Sequence, residues 1–119
     1  MRHHNTNRKF GRTAGKRSAL LKSLVYALVT ESKITTSEAK AKELRPIIEK
    51  MITRAKKGDI ASRRILASRL NNSDELATKL INEIAPKYKD RDGGYTRITK
   101  LAPRAARADA SPMAVIEFI

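Results

Sequence analysis

Apolar side chains recur at spacings of three and four along the middle of this chain and at spacings of two near its end. Leu20, Leu21, Leu24, Val25, Leu28 and Val29 fall on one face of a helix predicted over residues 16–32. Thr13 is placed to cap it, and Lys16, Arg17, Lys22 and Tyr26 lie off the apolar stripe. Residues 33–36 (Lys-Ile-Thr-Thr) are short and β-branched, which predicts a brief strand. Thr36 or Ser37 caps a second helix, roughly 38–57, with Leu44, Ile47, Ile48, Met51, Ile52 and Ala55 inward. Pro46 removes a backbone donor inside that pattern and predicts a kink or a restart. Gly58 ends the helix, and Asp59 caps a third over 60–70 that carries Ile60, Leu66, Ala67 and Leu70 inward. After a turn at Asn71-Asn72-Ser73, Asn72 and Glu75 resemble a capping box for a fourth helix over 74–85. Its stripe is Leu76, Leu80, Ile81 and Ile84, and Pro86 is its expected stop.

The period then changes. Residues 87–94 form a charged, glycine-ended loop, and residues 95–101 alternate in the manner of a strand. A loop over 103–112 leads to a last strand, 113–119, with Ala114, Ile116 and Phe118 on one buried face. Two strands joined this way make an antiparallel hairpin, beside which residues 33–36 can add. The expected fold is α+β in two layers: about four helices on a sheet of two to three strands, behind an extended basic N-terminal arm. Residues 1–13 are the arm and residues 14–119 a single globular domain.

Charge sharpens this picture. The chain has 119 residues and a formal net charge of +14 at pH 7. Residues 1–30 hold seven of the 26 lysines and arginines and none of the 12 acids. The segment 31–86 is nearly balanced, so the excess belongs to particular surfaces. The arm cannot bury enough hydrocarbon to offset its ordering entropy, which predicts disorder when it is alone. A terminal block of like charge reads as an arm for a polyanion. The plainer reading is a solvated tail that keeps the protein soluble. A phosphate polymer relieves the self-repulsion of such a chain and releases counterions as it binds.

The candidate phosphate contacts form groups. The arm supplies Arg2, His3, His4, Arg8, Lys9 and Arg12, and the first helix supplies Lys16, Arg17 and Lys22. Lys16 and Arg17 lie near the start of that helix, where the helix dipole favours an anion. Arg63, Arg64 and Arg69 form a second cluster, for which a solvated helix face is an equal reading. Lys87, Lys89, Arg91, Arg97 and Lys100 gather around Gly93 and Gly94 as a third. Paired glycines let backbone approach a phosphate closely, although a hairpin turn is the simpler explanation of the pair. Arg104 and Arg107 sit on the hairpin loop, which is placed to project as a second arm.

Other chemistries find little support. Two phenylalanines and three tyrosines, all scattered, do not make a stacking platform for single strands. Tyr88 and Tyr95 read as core or rim residues. No helix-turn-helix, zinc-ligand set or basic zipper is present, so contacts to phosphate and shape are expected instead of reading of duplex base edges. The acids lie at helix starts or beside cations, where caps and helix-surface pairs account for them. His3 and His4, the only histidines, are adjacent on the arm, a poor geometry for an acid–base pair. Met1-Arg2-His3 has the spacing of a square-planar copper or nickel chelate, but a phosphate contact suits His3 better. The absence of cysteine excludes thiolate sites and disulfides and fits a reducing cytoplasm. The longest apolar run, residues 24–29, is far short of a membrane span, and no signal-peptide pattern is evident. A nucleic-acid partner is expected, without cofactor, metal, membrane or small-molecule substrate. A free DNA-compacting protein is the alternative; it calls for an apolar dimer seam or a minor-groove wedge, and neither is evident.

Several stretches resemble the bacterial family of large-subunit ribosomal protein seventeen. They are the opening Met1-Arg2-His3, then Gly11-Arg12-Thr13 followed by Arg17-Ser18-Ala19-Leu20-Leu21. Ile34-Thr35-Thr36 with Lys40-Ala41-Lys42-Glu43-Leu44-Arg45-Pro46, Glu49 and Ile52-Thr53 is the most specific match. Arg91-Asp92-Gly93-Gly94-Tyr95-Thr96-Arg97-Ile98 is the second, and Pro112-Met113-Ala114 with Ile116-Glu117 resembles the closing strand. Lys16 stands where a histidine is common in that family. The resemblance implies a non-catalytic constituent of the large ribosomal subunit, bound to its ribosomal RNA near the polypeptide exit tunnel. Its other implied partners are neighbouring large-subunit proteins.

Overall fold

The computed structural model describes residues 14–102 and 112–119. The arm and the hairpin loop, with all their candidate residues from Arg2 to Arg12 and Arg104 and Arg107, lie outside the described residues. The elements run α1 (Ala14–Glu31), β1 (Lys33–Ser37), α2 (Glu38–Ala55), α3 (Ile60–Arg69), α4 (Asp74–Lys79), β2 (Thr96–Leu101) and β3 (Met113–Phe118). The strands form one antiparallel sheet in the order β1-β3-β2. β1 therefore adds beside the last strand, with Ile34 opposite Ile116 and Thr36 opposite Ala114. In the hairpin, Ile98 faces the same Ile116 and Arg97 faces Glu117. Because side chains alternate across a strand, Ile34, Thr36, Thr96, Ile98, Ala114 and Ile116 share the face turned to the helices. This is the expected two-layer α+β fold.

The central element is α2. Leu44, Ile48 and Ile52, four residues apart, are fully buried, with Ala41, Met51 and Ala55 beside them. Ser37 is its cap, with the side-chain oxygen accepting from the Lys40 N–H at 3.3 Å. Of the kink or restart expected at Pro46, the restart does not occur, since the helix is continuous through it. The proline is exposed, on the side away from the core. Val25, Leu28 and Val29 of α1 close the layer.

Three expectations fail for local geometric reasons. Ile60 is 71% exposed. α3 turns its Ser62, Leu66 and Leu70 inward, and at roughly 100° per residue Ile60 points to the other side. The fourth helix is capped by Ser73, whose hydroxyl accepts from the Leu76 N–H at 3.2 Å, and not by Asn72. Asn72 has φ of 60°, left-handed and so unable to supply the extended backbone of a cap. Pro86 does not stop the helical path but changes its pitch. A wide turn over Leu80–Ile84 precedes it, and a tight turn over Ala85–Tyr88 contains it. A proline ring crowds the carbonyl four residues back, and the Ala85 N–H reaching to the Leu80 carbonyl opens the ladder just before it. Tyr88, expected in a loop, is thereby carried into the core.

Candidate nucleic-acid interface

Glu49 organises the loop that holds the paired glycines. Its Oε1 accepts from the Gly94 N–H at 3.2 Å. Its Oε2 accepts from the Thr96 N–H at 3.3 Å and from Thr96 Oγ1 at 2.9 Å. Arg45, one turn earlier on α2, donates to the Thr96 carbonyl at 3.3 Å and lies 3.6 Å from Glu49 Oε2. Partial burial raises the Glu49 pKa, but the bonds from Thr96 and Gly94 and the Arg45 charge outweigh it and leave the pKa lowered. On the other side of the loop, Lys56 Nζ donates to the Arg91 carbonyl and to Tyr95 Oη, and lies 5.3 Å from the centre of the Tyr95 ring. Tyr95 packs against Tyr88 with centroids 5.2 Å apart, and Tyr88 Oη donates to the Ile119 carbonyl at 2.8 Å. Both tyrosines are core residues, as expected.

In the chain alone the amide of Gly94 is bonded to a carboxylate, so the role visible for this residue is in holding the turn. The glycine is needed for its backbone, with φ of 68°. Gly94→Ala is expected to cost about 1–2 kcal/mol, the penalty of a left-handed L-residue, measured by urea unfolding. A cost near zero would mean that the turn relaxes to negative φ.

Three members of the third basic cluster have partners within the fold while staying exposed. Arg97 donates through Nε and Nη2 to Glu117 Oε1 at 3.1 and 2.9 Å across the hairpin. Lys100 lies 3.5 Å from Glu38 Oε1, to which Lys42 is also paired at 2.8 Å. Arg91 donates to the Gly94 carbonyl at 3.0 Å. Lys87 and Lys89 are exposed. Arg63 and Arg64 are exposed on α3, on sides of the helix that Arg69 does not share, since five or six residues do not make whole turns.

A further basic grouping lies on α2. Lys50, Arg54 and Lys57 follow one another at four and three residues, on one face of α2 and its C-terminal turn. With Arg69 they line an open cleft of about 420 Å³, which Glu49, Thr53, Asp92, Gly93 and Tyr95 complete. Arg69 also lines an adjoining pocket of about 270 Å³ together with Arg17 and Lys22 of α1. Three candidates from two separate sequence clusters are thus brought to one side of the molecule. Lys50, Arg54 and Lys57 were missed because they sit among acids in a balanced stretch; their helical spacing was the available signal. Among the described residues, no group of three or more histidines, cysteines or acids is placed to hold a metal. No described helix is long and apolar enough to cross a membrane.

These features define a class: a small, strongly basic α+β protein that turns cationic faces of three helices to one side. Comparison with known proteins makes the assignment particular. The family model for ribosomal protein L17 matches residues 20–119, and the chain belongs to that family. A Large ribosomal subunit protein bL17 from Sphingopyxis alaskensis is 49% identical over 119 residues, covering 100% of this chain and 84% of the relative. Proteins of the same name from Campylobacter jejuni subsp. doylei and Campylobacter concisus are 51% and 50% identical, covering 100% of this chain and 99% and 98% of theirs. None of these names is that of an enzyme.

Proposed function

We propose that the chain is a structural constituent of the large subunit in the cytoplasmic ribosome. It binds ribosomal RNA by neutralising crowded phosphates and fitting their arrangement, and it supports assembly near the polypeptide exit tunnel beside neighbouring large-subunit proteins. The fold carries the helical face, and Arg2, Arg8, Lys9 and Arg12 of residues 1–13 add four further cations. The observation that carries this reading is the convergence of Lys50, Arg54, Lys57 and Arg69 on one open cleft in a chain of net charge +14. Glu49 and Asp92 on the same cleft offset part of that charge, and a phosphate backbone neutralises the remaining cations while releasing its own counterions. The tunnel location comes from the family resemblance.

The triple substitution Lys50→Gln, Arg54→Gln, Lys57→Gln tests the cleft. The slope of log affinity against log salt, measured on a large-subunit RNA fragment, is expected to become shallower by about 2–3 units. Melting temperature should hardly move, because the three side chains project from the helix surface. An unchanged slope would show that this face does not meet phosphate. Duplex DNA titrated alongside separates the architectural DNA reading, which calls for binding indifferent to RNA shape.

A further inference from the structure

We propose that the pocket at the junction of α1, α2 and α3 receives one unpaired nucleobase of the bound RNA. This rests on the RNA-binding reading above and assigns base recognition, not only phosphate contact, to one place within it. The pocket holds about 270 Å³ and is floored by Leu21, Val25, Ile47 and Met51. Val25 and Met51 are 2% and 1% exposed and the half-buried Ile47 packs against the core, so this side of the lining belongs to the packed interior. Arg17, Lys22 and Arg69 stand around its mouth with the Ser18 hydroxyl.

The two halves of this lining call for different things. A phosphate seated on hydrocarbon loses water and regains few hydrogen bonds, so the floor does not suit it. A purely apolar side chain gains nothing from cations at the rim. An extruded nucleotide presents both a flat apolar face and anions one sugar away from it. RNA recognition at single-stranded loops and bulges uses such splayed bases. The volume is just under the roughly 300–1,000 Å³ of pockets that enclose drug-sized ligands, which fits one ring system better than a whole nucleotide. The neighbouring cleft of Lys50, Arg54 and Lys57 shares Arg69 with this pocket, so the strand leaving the base passes directly onto further cations. Ser18 is a donor or acceptor for the base edge.

The test uses the full chain and two single-stranded probes of equal length and charge: oligouridylate, and the same ribose-phosphate polymer without bases. The wild type is expected to prefer oligouridylate by about tenfold. Ser18→Leu, which narrows the mouth, and Leu21→Gln, which makes the floor polar at equal size, should each bring the two probes close to parity. Both variants should keep the wild-type salt slope on the abasic polymer, and melting curves verify that they fold. Equal binding of both probes by the wild type overturns the base pocket while leaving the phosphate reading in place. A preference that both variants retain also overturns it, by placing base contact elsewhere. Failure of the wild type to bind either probe while it still binds the large-subunit RNA fragment overturns the base pocket, and failure to bind that fragment as well removes the RNA-binding reading.

Discussion

A chain lacking residues 1–13 is expected to bind large-subunit RNA about a thousandfold more weakly at 0.1 M salt and to melt at the temperature of the full chain. The deletion removes Arg2, Arg8, Lys9 and Arg12. Each neutralised phosphate contributes about 0.7–0.9 to the slope of log affinity against log salt, so four contacts supply about three decades at 0.1 M. Stability is expected to be spared because, beyond Met1, the arm offers a core only one large apolar side chain, Phe10. Filter binding across a salt series and thermal melting of both chains check the two halves. An unchanged slope would place the phosphate contacts wholly on the body. A lowered melting point with unchanged affinity would make the arm part of the fold.

The second large effect is expected inside the fold. Glu49→Ala should destabilise the protein by about 2–3 kcal/mol, the range for losing hydrogen bonds to a charged group. It leaves the buried Thr96 hydroxyl and N–H and the Gly94 N–H without their acceptor. For a domain near 100 residues this corresponds to a fall of roughly 10 °C or more in melting temperature. Glu49→Gln keeps an acceptor and loses the charge, so it should cost less. The pH dependence has a definite direction. The folded-state pKa of Glu49 is lowered, so its contribution is complete above the unfolded value of about 4.3 and fades as pH falls through the folded value. The stability difference between wild type and Glu49→Gln should therefore be constant near neutrality and shrink in acid. A difference that grew in acid would contradict the carboxylate's role. Asp59 behaves alike in direction, since its bonds from Ser62 lower its pKa.

Much of this protein was legible along the chain because the information was local. The three- and four-residue spacing of Leu44, Ile47, Ile48, Met51, Ile52 and Ala55 needs only the helical period to declare a buried face; five are buried and Ile47 is half-buried against the core. Alternation did the same for Ala114, Ile116 and Phe118, of which the first two are buried and the third packs against the core. Two strands with a loop between them pair by themselves, so the hairpin needed no tertiary knowledge. The family resemblance likewise rested on contiguous blocks.

What the chain alone left open involved partners far apart in it. Arg97 and Lys100 read as free cations until the sheet set Glu117 opposite one and α2 brought Glu38 beside the other. Gly94 read as a backbone donor for phosphate, while the acceptor it uses is 45 residues away on α2. The capping residue of the fourth helix depended on whether Asn72 or Ser73 took the left-handed conformation, a choice made by how the turn joins two packed helices. The basic side facing the two clefts is tertiary in the same sense. Arg17, Lys50 and Arg69 sit on three different helices, and only the packing of those helices puts their charges on one surface. Periodicity fixes which face of an element is buried; it does not say which charges on the other faces become neighbours, because that is set by the angles at which the elements cross.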